Sequence, residues 1–240
     1  MDHDRPALTT YEELAQRMDH LLVHPTLTED QLRDGCLMAI EYDVASVTVR
    51  PCDLDIALRV VRGTKVALGS VVGFPHGTQN TATKLYEARD LIRRGAKYLD
   101  VVVNVSKLIA RQWIYVETEL LQLAQNAREE GVTLHVILET PVLPEEQKIV
   151  ACRIAKRAAP AGVCTASGYA GPFSQPDLEL LVRKCEGYLG IKASPVDTLD
   201  AVLHIHALGA TRFGSRHTEA ILQAWKKRLE QQPAKSIAVS

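Results

Sequence analysis

In several short, β-branched segments, polar side chains occupy every second position, here called one parity of the strand. This pattern indicates where a reactive site is expected. In the segment 98–104, Asp100 and Asn104 share one parity, whereas Leu99, Val101 and Val103 share the other. Lys192 likewise lies on the polar parity of its segment. Because side chains alternate between the two faces of a strand, a carboxylate and an ammonium are expected to face one shared pocket. Such a pair could transfer protons as a general acid and base.

Two further segments show the same division between polar and apolar parity. Their polar positions are Ser46, Thr48 and Arg50 in one segment, and His135 and Glu139 in the other. Ser194 is the second polar position of the segment that contains Lys192. A single charged residue in a strand is usually satisfied by an ion pair, so a purely structural polar network is the alternative interpretation. Four strands with the same division favour a polar pocket.

Composition argues against several classes of partner. The 240-residue chain carries 28 basic and 29 acidic residues, a net charge of −1, and its aromatic content is 5%. We therefore expect no basic face for nucleic acid or for an acidic membrane surface, and few rings for base stacking. The longest apolar stretches fall far short of the roughly 20 residues of a spanning helix. The N-terminus lacks the apolar segment of a secretory signal.

Cysteine and histidine patterns give no sign of a metal centre. The five cysteines include no CxxC pair and leave one over if paired, which favours reduced thiols and a cytoplasmic location. His204 and His206 lie on a predicted helix at a spacing that points their rings apart, and HExxH is absent. Dinucleotide and P-loop motifs are also absent. We expect no metal and no cofactor.

Short strand patterns alternate with helical patterns along the whole chain. The predicted strands are 21–23, 45–49, 66–72, 98–104, 134–140, 162–167, 190–194 and 212–215. A capping box at Thr28 predicts a helix over 31–41, and an apolar stripe from Trp113 to Ala127 predicts another. Eight such units favour an α/β fold, a single-domain (β/α)8 TIM barrel over 1–240 with frayed ends at 1–8 and 231–240. A doubly wound open sheet is the alternative, since strand count does not establish closure.

Six motifs, in order, resemble those of the deoxyribose-phosphate aldolase family and extend over about 14–218. They are Asp19-His20-x-Leu22, Val71-Val72-Gly73-Phe74-Pro75-x-Gly77, Leu99-Asp100-Val101-Val102-Val103-Asn104, Val136-Ile137-Leu138-Glu139-Thr140, Gly190-Ile191-Lys192-Ala193-Ser194 and Gly209-Ala210-Thr211-Arg212-x-Gly214. The resemblance implies a (β/α)8 barrel of class I aldolases. These enzymes join an aldehyde donor to an aldehyde acceptor through a lysine Schiff base, without a metal.

The chain departs from the family pattern at the reacting centre. Where the family has Lys-Thr-Ser-Thr-Gly on the sixth strand, this chain has Cys164-Thr165-Ala166-Ser167-Gly168. A cysteine therefore replaces the lysine that the resemblance assigns to the Schiff base. By the same resemblance, Lys192 matches the second lysine, Asp100 matches the proton-shuttling acid, and His135 replaces a lysine of the fifth strand.

A second departure concerns the substrate phosphate. The resemblance implies a Gly-Gly pair that cradles the phosphate, but this chain has Ser194-Pro195-Val196, and Pro195 has no N–H to donate. The phosphate serine of the eighth strand corresponds to Ser215, which Arg216 follows. We expect weak phosphate binding, with Ser215, Arg216 and a helix N-terminus able to hold a carboxylate or smaller anion. The alternative is that Arg216 is a solvated surface charge.

The predicted catalytic residues are Asp100, Lys192 and Cys164. Asp100 favours the ammonium form of Lys192, which suits Lys192 to stabilising an oxyanion better than to attacking a carbonyl. Cys164 is either a thiolate nucleophile or a small filler of the space that a lysine vacated. The predicted substrate-binding residues are Asp19, Thr48, Asn104, His135, Glu139, Thr165, Ser194, Ser215 and Arg216.

Three functions are compatible with these residues. The first is an aldolase-like lyase in which Asp100 and Lys192 act on an enolisable carbonyl compound without an imine. The second is a class I aldolase of the deoxyribose-phosphate type with Lys192 as the imine-former. The third is a non-catalytic ligand-binding barrel. The retention of two facing charges, on Asp100 and Lys192, argues against it. For either enzyme we expect a small carbonyl substrate, phosphorylated or otherwise anionic, and a homo-oligomer, as a dimer.

Overall fold

Eight parallel strands close into a barrel around a lumen. The computed structural model describes residues 6–231, with the strands β1 (Met18–Leu22), β2 (Ser46–Val49), β3 (Ala67–Val72), β4 (Tyr98–Val102), β5 (Thr133–Ile137), β6 (Gly162–Cys164), β7 (Gly190–Ala193) and β8 (Arg212–Ser215). Each strand pairs with the next, and β8 pairs with β1. The predicted (β/α)8 barrel is confirmed. The open-sheet alternative is wrong, because the β1–β8 pairing closes the sheet.

Helices follow the strands and cover the outside of the barrel. Within residues 6–231 they are α1 (Tyr11–Ala15), α2 (Glu29–Glu41), α3 (Leu54–Val61), α4 (Thr81–Arg93), α5 (Val105–Ile109), α6 (Trp113–Glu129), α7 (Glu145–Ala158), α8 (Gln175–Cys185), α9 (Leu199–Ala207) and α10 (Thr218–Gln231). Single 3₁₀ turns lie at Pro51–Asp53 and Thr140–Val142. No helix in this part of the chain is long and apolar enough to cross a membrane.

The start of α2 shows how a local motif sets a helix boundary. Thr28 Oγ1 accepts a hydrogen bond from the Gln31 N–H, and Gln31 Oε1 accepts one from the Thr28 N–H. This reciprocal pair joins the N-cap to the third helical residue. The helix therefore begins at Glu29, two residues before the predicted start at 31.

Buried polar residues place the start of β1 earlier in the chain than predicted. β1 begins at Met18, whereas the apolar pattern predicted a strand over 21–23. Asp19 and His20 are buried members of this strand. An apolar pattern does not detect such residues, because their burial depends on polar partners. Asp19 pairs with Lys192 in the lumen, and His20 Nδ1 lies 3.1 Å from Thr218 Oγ1 of α10.

β4 and β5 end earlier than predicted, and polar residues begin the loops that follow. Asn104 is the N-cap of α5, and its Oδ1 accepts a hydrogen bond from the Lys107 N–H at 3.2 Å. Glu139 has a φ of 54°, which is incompatible with a continuing strand. Both residues were predicted as strand members.

The predicted frayed ends fall only partly within the described residues. Leu8 is buried against the barrel, and Trp225 Nε1 of α10 donates a hydrogen bond to the Thr10 carbonyl at 2.9 Å. The prediction of a frayed end is therefore wrong at Leu8, and Gln231 is the last residue of α10. Residues 1–5 and 232–240 lie outside the described part of the chain.

The two strand parities separate as predicted. Leu99, Val101 and Val103 belong to the large apolar cluster between the barrel and its helices. Val102, on the opposite parity, packs instead with residues of β5 and β6 in a small cluster inside the lumen. Burial of the first set drives the helices onto the barrel, which leaves the second parity to form the site.

A buried ion pair that sequence analysis did not identify fastens α4 to α6. Lys84 Nζ donates hydrogen bonds to Glu119 Oε1 at 2.7 Å and to the Val102 carbonyl at 2.8 Å. Both charged side chains are fully buried, and Thr81 Oγ1 donates to the second oxygen of Glu119. The end of β4 is thereby joined to two helices outside the lumen.

Lys84→Met is expected to lower the free energy of unfolding by about 3–5 kcal/mol, because it leaves the Glu119 carboxylate buried without its partner. Urea denaturation measures this loss. The double variant Lys84→Met/Glu119→Leu should recover part of it, and Arg33→Met, which breaks the exposed pair with Glu29, should cost less than about 1 kcal/mol. A double variant less stable than Lys84→Met would contradict this account.

Candidate active site

The lumen is centred on the ammonium of Lys192, which lies between two carboxylates. Lys192 Nζ is 2.7 Å from Asp100 Oδ2 and 2.9 Å from Asp19 Oδ2. These residues come from β7, β4 and β1, and all three are buried. One amine therefore links three strands that are not neighbours in the barrel, as strand parity predicted for Asp100 and Lys192.

Arg212 of β8 completes the charge balance of the lumen. Its guanidinium pairs with both oxygens of Asp19, and Ser46 Oγ donates a hydrogen bond to the same carboxylate. Burial alone would raise the pKa of Asp19, but Lys192 and Arg212 hold that pKa well below its usual range. Asp19 is therefore a fixed anion. Arg212 belongs to the motif at 209–214 but was not among the predicted site residues, although its alternation with buried Phe213 was a usable signal.

The Tyr98 ring lies beside both cations. Its centroid is 4.9 Å from Lys192 Nζ and 5.0 Å from Arg212 Cζ, within the range of cation–π attraction. The ring also stacks on His135, with centroids 5.0 Å apart. Tyr98 shares the parity of Asp100, yet sequence analysis missed it, because an aromatic residue at a strand start resembles an ordinary core residue.

Asp100 and Asp19 differ in their affinity for a proton. Burial raises the pKa of Asp100 although Lys192 opposes this shift. The second oxygen, Asp100 Oδ1, is buried and has no hydrogen-bond partner among residues 6–231. Burial by itself would lower the pKa of Lys192, but Asp100 and Asp19 raise it. The resting site thus holds an ammonium, with Asp100 as the carboxylate better able to receive its proton.

Cys164 lies beside Lys192 in the β6–β7 register and has the environment of an apolar core residue. It packs with Val102 and Ile137, and Phe74 covers this cluster. Burial raises the pKa of the Cys164 thiol, with only partial opposition from Lys192. The filler interpretation is favoured over a resting thiolate.

Two further predicted residues face the lumen. Burial lowers the pKa of His135 to about 3, so its ring is neutral near pH 7. His135 Nδ1 and Thr48 Oγ1 are buried and have no hydrogen-bond partner within residues 6–231. These atoms are available to a substrate or to bound water.

The remaining predicted binding residues near the strand ends make local hydrogen bonds. Thr165 Oγ1 donates to the Ser194 carbonyl at 2.9 Å and accepts from the Ser194 N–H at 3.0 Å. Glu139 Oε1 accepts from the Ser167 N–H at 2.7 Å, and Ser215 Oγ accepts from the His217 N–H at 2.9 Å. Together with Asn104, these residues shape the loops above the lumen and do not contact the Lys192 amine in this structure.

Arg216 lies apart from the lumen, at the barrel mouth. It lines a cavity of about 250 Å³ together with His24, Tyr169 and Pro195. Tyr169 packs edge-to-face on Phe74, with ring centroids 5.4 Å apart. Phe74 also packs on the lumen cluster at Cys164, so this aromatic pair lies at the border between the mouth cavity and the lumen. Residues 6–231 contain no group of three or more His, Cys, Asp or Glu side chains placed to hold a metal ion.

Comparison with known proteins assigns the chain to a family. No family model matches it. A deoxyribose-phosphate aldolase from Caldanaerobacter subterraneus subsp. tengcongensis is 33% identical over 217 residues, which are 89% of this chain and 94% of that protein. One from Rhodopirellula baltica is 35% identical over 221 residues, 91% of this chain and 92% of that protein. The chain belongs to the deoxyribose-phosphate aldolase family.

Solved structures agree with this assignment to the deoxyribose-phosphate aldolase family. The tetrameric deoxyribose phosphate aldolase from Aeropyrum pernix superposes with a TM-score of 0.86 at 26% identity, covering 92% of this chain and 94% of that one. The predicted family resemblance is therefore confirmed. The predicted enzyme class, a lyase that acts on carbon–carbon bonds, is confirmed with it. Of the lysines in residues 6–231, only Lys84 and Lys192 are buried, and Lys84 bonds to α6 outside the lumen. Lys192 is thus the one lumen amine in the described chain.

Cys164 is expected to resist alkylation in the folded protein, because burial raises its pKa and excludes the reagent. Iodoacetamide at pH 8, read by mass spectrometry, should label the exposed Cys52 and leave Cys164 unmodified. In urea both residues should be labelled, which controls for intrinsic reactivity. Labelling of native Cys164 as fast as Cys52 would restore the thiolate hypothesis.

Proposed function

We propose that this chain makes or breaks a carbon–carbon bond in a small aldehyde, with Lys192 as the amine that forms the imine. The observation that carries the proposal is the 2.7 Å contact between Lys192 Nζ and Asp100 Oδ2 inside a closed, polar lumen. Family membership supports aldol chemistry, since relatives over 30% identical are deoxyribose-phosphate aldolases.

The Lys192–Asp100 pair provides a route to the neutral amine. A proton passes from the ammonium to Asp100 Oδ2, and the freed amine adds to the donor carbonyl. Asp100 returns the proton to the carbinolamine oxygen, which leaves as water and gives the protonated imine. The Asp100 carboxylate then removes a proton from the adjacent carbon. The resulting enamine attacks the acceptor aldehyde, and the new alkoxide takes that proton back from Asp100. Hydrolysis of the imine restores Lys192, and every step is reversible.

Asp19 has a different role in this scheme. Arg212 and Ser46 hold it as an anion, so it does not compete with Asp100 for the Lys192 proton. A fixed negative charge near the amine also stabilises the iminium, which carries a positive charge. We assign binding of the substrate oxygens to His135 and Thr48; the absence of a partner for His135 Nδ1 and Thr48 Oγ1 in the described chain supports this role.

A second candidate mechanism omits the imine. The raised pKa of Lys192 favours an ammonium that stabilises a developing oxyanion while Asp100 transfers the proton. A preorganised donor of this kind is worth about 3 kcal/mol of transition-state stabilisation. The reaction class is the same, and only the covalent intermediate distinguishes the two mechanisms.

We also propose a cytoplasmic homo-oligomer that takes a small carbonyl substrate. The buried and unpaired cysteines fit a reducing compartment. The Aeropyrum pernix relative is tetrameric, which supports self-association but leaves the expected dimer as a proposal.

Incubation with acetaldehyde and sodium borohydride is expected to add one ethyl group to Lys192, because reduction traps an imine as a stable amine. Peptide mass spectrometry locates the adduct. Lys97→Met, which removes an exposed lysine of the barrel exterior, should leave trapping unchanged. Turnover without any adduct on Lys192 would select the imine-free mechanism, and absence of both adduct and turnover would support a binding barrel.

Asp100→Asn should lower kcat by about 10²–10⁴-fold, because it removes the group that accepts and returns the proton. Release of acetaldehyde from deoxyribose and from its 5-phosphate, coupled to a reductase, measures kcat. Cys164→Ala should be much milder, and Asp200→Asn, at an exposed position on α9, should have no effect. A larger loss in Cys164→Ala than in Asp100→Asn would make the thiol the reacting group.

The acid limb of the kcat/KM profile should lie at higher pH than the ordinary pKa of an aspartate, because burial raises the pKa of Asp100 and only its carboxylate accepts the proton. Arg212 lowers this pKa, so Arg212→Met should move the limb to higher pH. Arg212→Lys should move the acid limb back, which a purely structural role would not predict. As a control, Arg94→Met at the surface should leave the acid limb in place. A limb that stays fixed in Arg212→Met would refute this electrostatic role.

A further inference from the structure

The cavity at the barrel mouth is lined in part by three successive loops. Its walls come from the loops after β6, β7 and β8, which contribute Gly168 and Tyr169, Pro195, and Arg216 respectively. We propose that this cavity binds the carboxylate of a non-phosphorylated substrate through Arg216 and discriminates against phosphate monoesters. The inference rests on the proposed aldolase function and specifies its substrate class.

The loop after β7 has no backbone donor to offer a phosphate at three successive positions. The Ser194 N–H donates to Thr165 Oγ1 at 3.0 Å, and the Val196 N–H donates to the Gly214 carbonyl at 2.9 Å. Pro195, between them, has no N–H. Phosphate sites at barrel mouths and helix starts depend on several converging N–H groups.

Three N–H groups on the two neighbouring loops also make internal hydrogen bonds. After β6, the Ser167 N–H donates to Glu139 Oε1 at 2.7 Å, and the Tyr169 N–H donates to Ser167 Oγ at 3.2 Å. After β8, Ser215 Oγ accepts from the His217 N–H at 2.9 Å. A phosphate that used these N–H groups would have to displace their internal bonds.

Pro195 also takes up the space between the β6 and β7 loops. Its ring packs so closely on Gly168 that a methyl group at Gly168 would lie 3.1 Å from Pro195 Cγ. With Leu21 and Val23 on the opposite side, the cavity has apolar walls. Such walls favour a carbon chain over a doubly charged group, which would lose its hydration there.

Arg216 is the cation that remains available in this cavity. Its side chain is exposed and makes no ion pair or hydrogen bond with any residue in 6–231. A guanidinium binds a carboxylate through two parallel hydrogen bonds, and one positive charge balances one carboxylate. Arg212 is the register partner of Lys192, so Arg216 lies four residues, or about 13 Å, further along the strand direction. A short substrate could reach from the amine to this guanidinium.

Titration of the intact protein with butyrate and with propyl phosphate tests the proposal. Neither probe has an aldehyde or ketone group, so binding does not require imine chemistry. Chemical shifts in NMR spectra should show that butyrate binds more tightly than propyl phosphate, and that Arg216→Gln weakens butyrate binding about fivefold or more. Arg59→Gln, on the exposed face of α3, should leave binding unchanged. Pro195→Gly should shift the preference towards propyl phosphate.

Tighter binding of propyl phosphate to the wild-type protein would overturn the proposal. So would butyrate binding that Arg216→Gln leaves unchanged, or no binding of either probe. The acetaldehyde adduct on Lys192 involves no anion, so its presence or absence reports on the aldolase function separately. An adduct together with a phosphate preference would leave the aldolase function standing and reject the carboxylate site.

Discussion

A single ammonium, enclosed by protein and shared by two carboxylates, determines the organisation of the barrel interior. A charge removed from water requires a partner, because desolvation of an isolated ion costs several kcal/mol. Lys192 therefore needs Asp19 and Asp100, and with two carboxylates present a second cation, Arg212, is needed for balance. These four residues lie on β1, β4, β7 and β8, so the charge balance also constrains how the strands are arranged around the lumen.

The cysteine at position 164 has a consequence for how the amine can react. In the family pattern, a second lysine adjacent to the imine-former would lower its pKa by charge repulsion. Here the adjacent position carries a neutral thiol, and the nearest charges are carboxylates that raise the pKa of Lys192. An imine mechanism in this chain must therefore free the amine by transferring its proton within the Lys192–Asp100 pair. The buried position of Asp100 makes that transfer less costly, because burial raises the pKa of its carboxyl group.

Strand alternation predicted the lumen residues well because its period is fixed by backbone geometry. Asp100, His135 and Lys192 lie in the lumen for that reason. The same rule was unreliable beyond the strand ends, where Asn104, Glu139 and Thr165 turn to satisfy backbone groups of the loops. Arg212 and Lys84 escaped notice because an isolated cation in a sequence resembles a solvated surface residue. Only the fold reveals the buried carboxylate opposite each of them.

Different parts of the barrel position the reacting centre and the residues at its mouth. Residues at the mouth can therefore differ while those of the reacting centre stay the same. The lumen residues lie on strands whose register is fixed around the closed sheet, whereas recognition depends on loops. In the loop after β7, the N–H groups on either side of Pro195 are bonded to Thr165 near β6 and to Gly214 of β8. Those two bonds tie the loop to its neighbours. They also occupy both N–H groups, so that neither is available to an anion. The attachment of this loop to its neighbours and the occupation of its N–H groups therefore have one physical cause.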